Sequence, residues 1–145
     1  MKEIWEKRHV DSGGRYNRVT DFARFCFYNF MKEKKGKVLD LCCGKGADAI
    51  FFHNKGYDVT GVDYSTEAIK QFNDTQKRYD IFLTSLVYDI SKELPFEAES
   101  FDFVYIRLGL HYFKETTAKK VIAIARANLE MNFESGEEIM EKRKI

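Results

Sequence analysis

The chain lacks several features that mark membrane, secreted and zinc-binding proteins. No apolar run in its 145 residues approaches the roughly 20 that a transmembrane helix needs, and no secretory signal pattern opens it. Its 3 cysteines include no Cys-x-x-Cys pair, and the neighbours Cys42 and Cys43 cannot form an ordinary relaxed disulfide. We therefore expect no membrane partner, no metal site and a reducing, cytoplasmic location.

The chain also lacks an excess of charge of one sign. It has 24 Lys and Arg residues against 23 Asp and Glu residues, a net charge of +1 that gives nucleic-acid binding no overall support. Hydrophobic residues make up 44% and charged residues 32%, an ordinary soluble composition. The length suffices for one domain with a real core.

The strongest pattern that is present lies between Lys37 and Asp48. Residues 38–41 are apolar except for Asp40, as a buried parallel strand requires. Gly44 and Gly46 follow and let the backbone approach a ligand, and a helix is predicted to begin at about Ala47. A strand, a glycine turn and a helix N-terminus in this order are typical of a nucleotide-type pocket.

A second pattern lies downstream and strengthens the first. The segment Tyr57-Asp58-Val59-Thr60-Gly61-Val62-Asp63 reads as a strand that ends in a carboxylate. Asp63 follows Gly44 by about 20 residues, the usual distance for a side chain that accepts hydrogen bonds from both hydroxyls of a ribose. The two patterns together predict a site for a ligand that contains a nucleoside.

These residues resemble the motifs of the class I S-adenosylmethionine-dependent methyltransferases. The motifs are Asp40-Leu41-Cys42-Cys43-Gly44-Lys45-Gly46, Val62-Asp63-Tyr64-Ser65, and Asp89 with Leu94-Pro95-Phe96 and Ser100-Phe101-Asp102-Phe103-Val104. The third is similar to the small-molecule branch, of the quinone-biosynthesis and tellurite-resistance types. The resemblance covers residues 37–129. Cys42 stands where the family usually has its first glycine, so we expect the turn to avoid positive φ there.

The resemblance implies S-adenosylmethionine as cofactor and a small-molecule methyl acceptor. The implied cofactor-binding residues are Asp40, Leu41, Cys42, Gly44, Gly46, Asp63, Tyr64, Asp89, Ile90 and Arg107. The turn and the Arg107 backbone would border the methionine part, and Asp63 would hold the ribose. Tyr64 and Ile90 would pack against the adenine, and Asp89 would accept from its exocyclic amine.

His111 is the candidate catalytic residue. It follows the predicted fourth strand, and its ordinary pKa suits proton removal near neutrality. A lone histidine beside Tyr112 and Phe113 is, however, more often a packed or hydrogen-bonded residue, so both interpretations stay open.

The predicted fold class is α/β, a Rossmann-like doubly wound, mainly parallel sheet with helices on both faces. Strands are predicted at residues 38–41, 57–63, 81–88 and 101–106, with helices at 19–34, after Ser65 and from about Glu115. Residues 1–36 form an N-terminal lid and helix, 37–129 the core and 130–145 a charged tail. Relatives continue with further strands, which this chain is expected to lack. The fourth strand would then be a sheet edge through which a homodimer forms.

Four functions compete at this stage. The first is a small-molecule methyltransferase, and the second is a truncated, catalytically inactive S-adenosylmethionine-binding protein. A nicotinamide-dependent oxidoreductase is disfavoured by Asp40 before the turn and by the Leu94-Pro95-Phe96 motif. A nucleic-acid methyltransferase is disfavoured because the single proline, Pro95, lies outside any Asn/Asp-Pro-Pro-Tyr/Phe motif.

Overall fold

A four-stranded parallel sheet organises the part of the chain that the computed structural model describes, namely residues 2–4, 6–7, 18–97, 100–107 and 114–127. Its strands are β1 (Lys37–Leu41), β2 (Asp58–Asp63), β3 (Thr84–Val87) and β4 (Phe103–Ile106), in the order β3-β2-β1-β4. All three pairings are parallel. The chain runs outward from β1 to β3 and then crosses to the other side of β1. The predicted doubly wound fold is therefore confirmed, with its topological switch point between β1 and β4.

The described helices precede β1, connect β1 to β2 and β2 to β3, and follow β4. They are α1 (Asp21–Cys26), which continues as a π-helical turn (Phe27–Met31), then α2 (Ala47–Asn54), α3 (Thr66–Tyr79) and α4 (Glu115–Ala127). The N-terminus of α1 is capped by Thr20 and that of α3 by Ser65, each through a side-chain oxygen that accepts a backbone N–H three residues on. No helix in the described residues is long and apolar enough to span a bilayer.

Several predicted element boundaries were wrong. The first helix does not extend over residues 19–34: it begins at Asp21, widens into the π-helical turn at Phe27 and ends at Met31. The third and fourth strands are shorter than predicted, because backbone pairing extends only over Thr84–Val87 and Phe103–Ile106. The predictions on the tail and on the missing last strands concern residues 128–145, which lie outside the described residues.

Successive side chains of a strand point to opposite faces of the sheet, and both faces are covered. One face packs against α1, α2 and α3 through a mainly aromatic cluster. The other packs against α4 and the 90–101 segment through a mainly aliphatic cluster. The aromatic cluster includes Phe27, Phe52, Tyr57, Phe72, Phe103 and Tyr105; the aliphatic cluster includes Leu39, Leu41, Val62, Leu94, Val104, Ile106 and Val121.

Candidate cofactor site

The glycine turn between β1 and α2 is fixed by backbone hydrogen bonds. The Cys43 N–H donates to the Val62 carbonyl at 3.0 Å, and the Gly46 N–H donates to the Cys43 carbonyl at 3.1 Å. Gly44 and Gly46 have φ values of +58° and +88°, which glycine adopts at little steric cost. A Cβ on Gly46 would lie 2.5 Å from the Phe72 ring, so this turn tolerates no side chain there.

Cys42 does not behave as the sequence suggested. Its φ is +59°, so the expectation that the turn avoids positive φ at this residue was wrong. The turn keeps the left-handed backbone for which relatives use glycine and carries a Cβ in it, at a cost of about 1–2 kcal/mol. The backbone at the first position of the motif therefore has a conformation that favours glycine.

Asp63 links the glycine turn to the turn that follows β2. One carboxylate oxygen accepts the Gly44 N–H at 2.8 Å, and the other accepts the Ser65 N–H at 2.8 Å. A carboxylate can accept about four hydrogen bonds, so this anchoring is compatible with further donors such as ribose hydroxyls. The side chain is half-buried at the carboxyl end of β2, where the ribose prediction requires it.

Asp89 follows β3 and lies next to the end of β2, because the Tyr88 N–H donates to the Asp63 carbonyl at 2.9 Å. One oxygen of Asp89 accepts the backbone N–H of Ser91 at 3.0 Å and its hydroxyl at 2.6 Å. Asp89 is therefore a turn residue with a fixed carboxylate, and a turn role does not exclude contact with adenine.

The two residues predicted to pack against adenine differ in exposure. Tyr64 is 39% exposed, and the Lys2 ammonium lies 5.5 Å from its ring centroid. Ile90 is 4% exposed and belongs to the aliphatic cluster, so little of its side chain can reach a ligand. Both assignments stay predictions.

An acidic side chain, that of Asp40, is buried close to the glycine turn. Asp40 is 2% exposed near the end of β1. Burial, and then the charges of Asp40 and Asp63, raise the pKa of the Cys43 thiol well above its ordinary value. Cys43 is thus held as a neutral thiol.

A buried carboxylate that the sequence analysis missed lies beside this turn. Asp48, in the first turn of α2, accepts the Thr20 N–H and the Thr20 hydroxyl, each at 2.8 Å, and the Tyr105 hydroxyl at 2.8 Å. Burial, followed by the charges of Asp48 and Asp40, raises the pKa of Tyr105 far above its ordinary value. An acidic residue in a first turn is so common that this position gave no separate signal.

The strand order places the predicted residues along one edge of the sheet. Asp89 follows β3, Asp63 ends β2 and the glycine turn follows β1. Arg107 follows β4, whose last residue Ile106 pairs with Leu41, and its side chain is exposed. His111 lies outside the described residues. The edge thus brings together, in order, Asp89, Asp63 and the glycine turn.

Comparison with known proteins identifies the family. The methyltransferase-domain family matches residues 38–132. The chain is 34% identical over 68 residues to the probable S-adenosyl-L-methionine-dependent methyltransferase TehB of Haemophilus influenzae, which covers 47% of this chain and 23% of the relative. It is 36% identical over 85 residues to demethylmenaquinone methyltransferase of Listeria welshimeri, covering 55% of this chain and 36% of the relative. The chain therefore spans about a quarter to a third of these relatives.

A solved structure shares the fold. The PH0226 protein of Pyrococcus horikoshii superposes with a TM-score of 0.69 at 26% identity, covering 99% of this chain and 67% of that protein. The matched family segment contains the glycine turn, Asp63 and Asp89, the residues that the sheet brings to one edge. On the motifs, the strand order and these similarities, the chain belongs to the methyltransferase-domain family, in the class of Rossmann-like S-adenosylmethionine-dependent methyltransferases.

Proposed function

We propose that this chain binds S-adenosylmethionine and transfers its methyl group to a small-molecule acceptor. The cofactor supplies an electrophilic methyl on a sulfonium, so the protein needs to align the reactants and exclude water. Family membership, the glycine turn and the order of carboxylates along the sheet edge support this function.

The observation that carries the proposal is the acidity of the edge. Asp40, Asp48, Asp63 and Asp89 all lie beside or beyond the carboxyl ends of the strands. Carboxylates favour a ligand with a sulfonium and an ammonium and disfavour a pyrophosphate. In dinucleotide-binding folds the pyrophosphate occupies the N-terminus of the first crossover helix. Here the first turn of that helix, α2, holds the buried Asp48 carboxylate, which argues against a nicotinamide dinucleotide.

The residues have separate tasks in this proposal. The Asp63 carboxylate, held by Gly44 and Ser65, accepts the ribose hydroxyls. Asp89, held by Ser91, accepts from the adenine amine. Asp40 and the turn face the methionine end, with the Arg107 backbone beside them, and His111 is the candidate base. Two carboxylates locked by backbone donors are preorganised for binding, because little conformational freedom remains to be lost.

Calorimetric titration tests the proposal. Purified chain is titrated with S-adenosylhomocysteine and, separately, with NAD. We expect saturable binding of the first at one site and no binding of the second. Binding of NAD alone would contradict the proposal and favour an oxidoreductase.

Transferase activity separates the proposal from the alternative of an inactive cofactor-binding protein. The chain is incubated with S-adenosylmethionine and a panel of phenols, quinols and thiols, and S-adenosylhomocysteine is measured by mass spectrometry. Demethylated quinols come first in the panel, because one relative is named for demethylmenaquinone. Binding without turnover on any acceptor would favour the inactive alternative.

Location and assembly complete the proposal. None of the three cysteines forms a disulfide, which favours a reducing cytoplasm. Within the described residues, β4 pairs with β1 on one side and with no other strand. A homodimer through the other side of β4 stays a prediction, and light scattering at tens of micromolar protein tests it: a monomer would refute it.

A further inference from the structure

We infer that Thr20, Asp48 and Tyr105 form a positioning cluster that holds the amino-acid end of the cofactor site. The inference rests on the proposed function and extends it to residues outside the sequence motifs. The three residues lie on separate elements that meet at one place: the start of α1, the first turn of α2 and strand β4.

Asp48 and Tyr105 are buried and Thr20 is half-buried, and the hydrogen bonds among the three have ordinary lengths. Asp48 is 9% exposed and Tyr105 is 2% exposed. One Asp48 oxygen accepts the Thr20 N–H, and the other accepts both the Thr20 and the Tyr105 hydroxyls, all at 2.8 Å. A buried carboxylate is tolerated when such donors surround it. With both oxygens engaged, Asp48 acts through Thr20 and Tyr105 and not by direct contact with a ligand.

The strand order gives the cluster its place along the ligand. Adenine is assigned to Asp89 beyond β3 and ribose to Asp63 at the end of β2, so a ligand that continues in this direction crosses β1 towards β4. Tyr105 is the register partner of Asp40 in the β1–β4 pair. The cluster therefore adjoins the switch point between β1 and β4, where ligands of open α/β sheets bind.

Thr20 transmits the constraint to α1. Its hydroxyl accepts the Ala23 N–H at 3.1 Å as the helix cap and also donates to Asp48. One side chain thus sets where α1 begins relative to the first turn of α2. Removal of either hydroxyl would leave the buried Asp48 carboxylate with one donor fewer. The start of α1 and the first turn of α2 would then be able to shift relative to each other. The adenosine end, which lies at the ends of β2 and β3, would keep its own anchors, Asp63 and Asp89.

Two ligands that differ only in the amino-acid end test this assignment. S-adenosylhomocysteine contains it, whereas 5′-methylthioadenosine keeps the adenosine and the sulfur without it. Both affinities are measured, by calorimetry and by ligand-observed NMR, for wild type, Thr20→Val, Thr20→Ser and Tyr105→Phe. Tyr57→Phe is the matched control, since its buried hydroxyl donates to the Met31 carbonyl at the opposite edge of the sheet.

We expect Thr20→Val and Tyr105→Phe to weaken S-adenosylhomocysteine about tenfold and 5′-methylthioadenosine less than twofold. Thr20→Ser, which keeps the hydroxyl, and Tyr57→Phe should bind both ligands as wild type does. An equal loss for both ligands, no loss for either, or the same loss in Tyr57→Phe would overturn the inference. Wild-type protein that binds neither ligand would overturn the proposed function, and this inference with it.

Discussion

The two edges of the sheet differ in charge although they share one hydrophobic core. At the amino edge, where the strands begin, lysine ammoniums lie over aromatic rings: Lys35 is 4.9 Å from the Tyr57 ring centroid, and Lys55 is 5.1 Å from that of Phe27. At the carboxyl edge, carboxylates gather around the glycine turn and accept backbone and hydroxyl donors. Among the described residues, the amino edge thus presents ammonium groups over aromatic rings, whereas the carboxyl edge presents carboxylates around the glycine turn.

Two buried tyrosines show the difference at the level of single groups. Burial alone raises the pKa of Tyr57 to about 12. For Tyr105, burial acts together with the charges of Asp48 and Asp40, so its pKa is raised further. Nearby carboxylates therefore contribute to the raised pKa of the tyrosine near the carboxyl edge, whereas burial alone raises the pKa of the tyrosine at the amino edge. Matched substitutions at the two edges test this difference by experiment.

The largest expected effect comes from a glycine at each edge. Gly46→Ala places a Cβ against the Phe72 ring at a φ of +88° and should lower the free energy of unfolding by about 2–4 kcal/mol. Gly56→Ala has a similar φ of +97°, but its Cβ meets only the Lys35 side chain at 3.6 Å, so about 1 kcal/mol is expected. Urea unfolding measures both values.

The same two variants distinguish an effect on stability from an effect on ligand binding. Binding of S-adenosylhomocysteine should be lost in Gly46→Ala and kept in Gly56→Ala. Equal losses of stability in the two variants would show that the Phe72 contact is easily relieved and that the turn is less constrained than the geometry indicates.

The next effect concerns the two ends of one strand. Asp63→Ala removes the acceptor for the predicted ribose hydroxyls and should weaken S-adenosylhomocysteine about 100-fold, or roughly 3 kcal/mol for two charge-assisted hydrogen bonds. Asp58→Ala removes an exposed carboxylate at the other end of β2 and should leave the affinity unchanged. Calorimetry measures both, and wild-type affinity in Asp63→Ala would refute the ribose assignment.

Alkaline pH tests the tyrosines through stability. Both folded-state pKa values are raised, so below about pH 10 the folded and unfolded states hold the same tyrosine protons. Above it the unfolded state ionises first, and the free energy of unfolding falls as pH rises towards the folded pKa, about 12 for Tyr57. Each of Tyr57→Phe and Tyr105→Phe should reduce this fall by about 1.4 kcal/mol per pH unit.

Urea titrations between about pH 9.5 and 11.5 measure the slopes of the wild type and of both variants. Unchanged slopes in both would mean that the tyrosines titrate alike in the folded and unfolded states. An unchanged slope in Tyr105→Phe alone would show that the pKa of Tyr105 is not raised in the folded state, which would contradict the electrostatic difference between the edges.

The sequence predicted those features that local pattern determines. Strand, glycine turn, helix and the acid that ends β2 follow from apolar spacing and residue type, and the doubly wound sheet follows from the alternation of strands and helices. The π-helical turn was missed, because the spacing of apolar residues from Phe22 to Phe30 reads as an ordinary α-helix. The turn is defined by a backbone hydrogen bond from the Lys32 N–H to the carbonyl of Phe27, five residues earlier, which no sequence pattern shows.

The contacts that the sequence could not reveal are long-range. Asp48 binds Thr20 across 28 positions and Tyr105 across 57, and nothing in a single sequence links such residues. In the sequence Asp48 reads as a first-turn acid and Thr20 as a cap, each with an ordinary local explanation. Tertiary packing gave them a shared role.

The smallest effect concerns backbone conformation alone. Cys42 and Asp80 are the non-glycine residues with positive φ in the described part of the chain, at +59° beside the site and +55° at the C-terminal end of α3. Glycine relieves the steric cost of this conformation, about 1–2 kcal/mol, but adds about 0.5–1 kcal/mol of unfolded-state entropy. Cys42→Gly should therefore raise the free energy of unfolding by up to about 1 kcal/mol. Asp80→Gly should gain less, because aspartate tolerates this region better than cysteine does.

Ligand binding then separates the two substitutions. Cys42→Gly gives the turn the residue that relatives use, so affinity for S-adenosylhomocysteine should be kept or increased, whereas Asp80→Gly should not change it. Urea unfolding and calorimetry on both variants provide the measurements. Weaker binding in Cys42→Gly would show that the thiol itself contacts the ligand, and the comparison of the two edges would then have to include a sulfur among the groups that hold the cofactor.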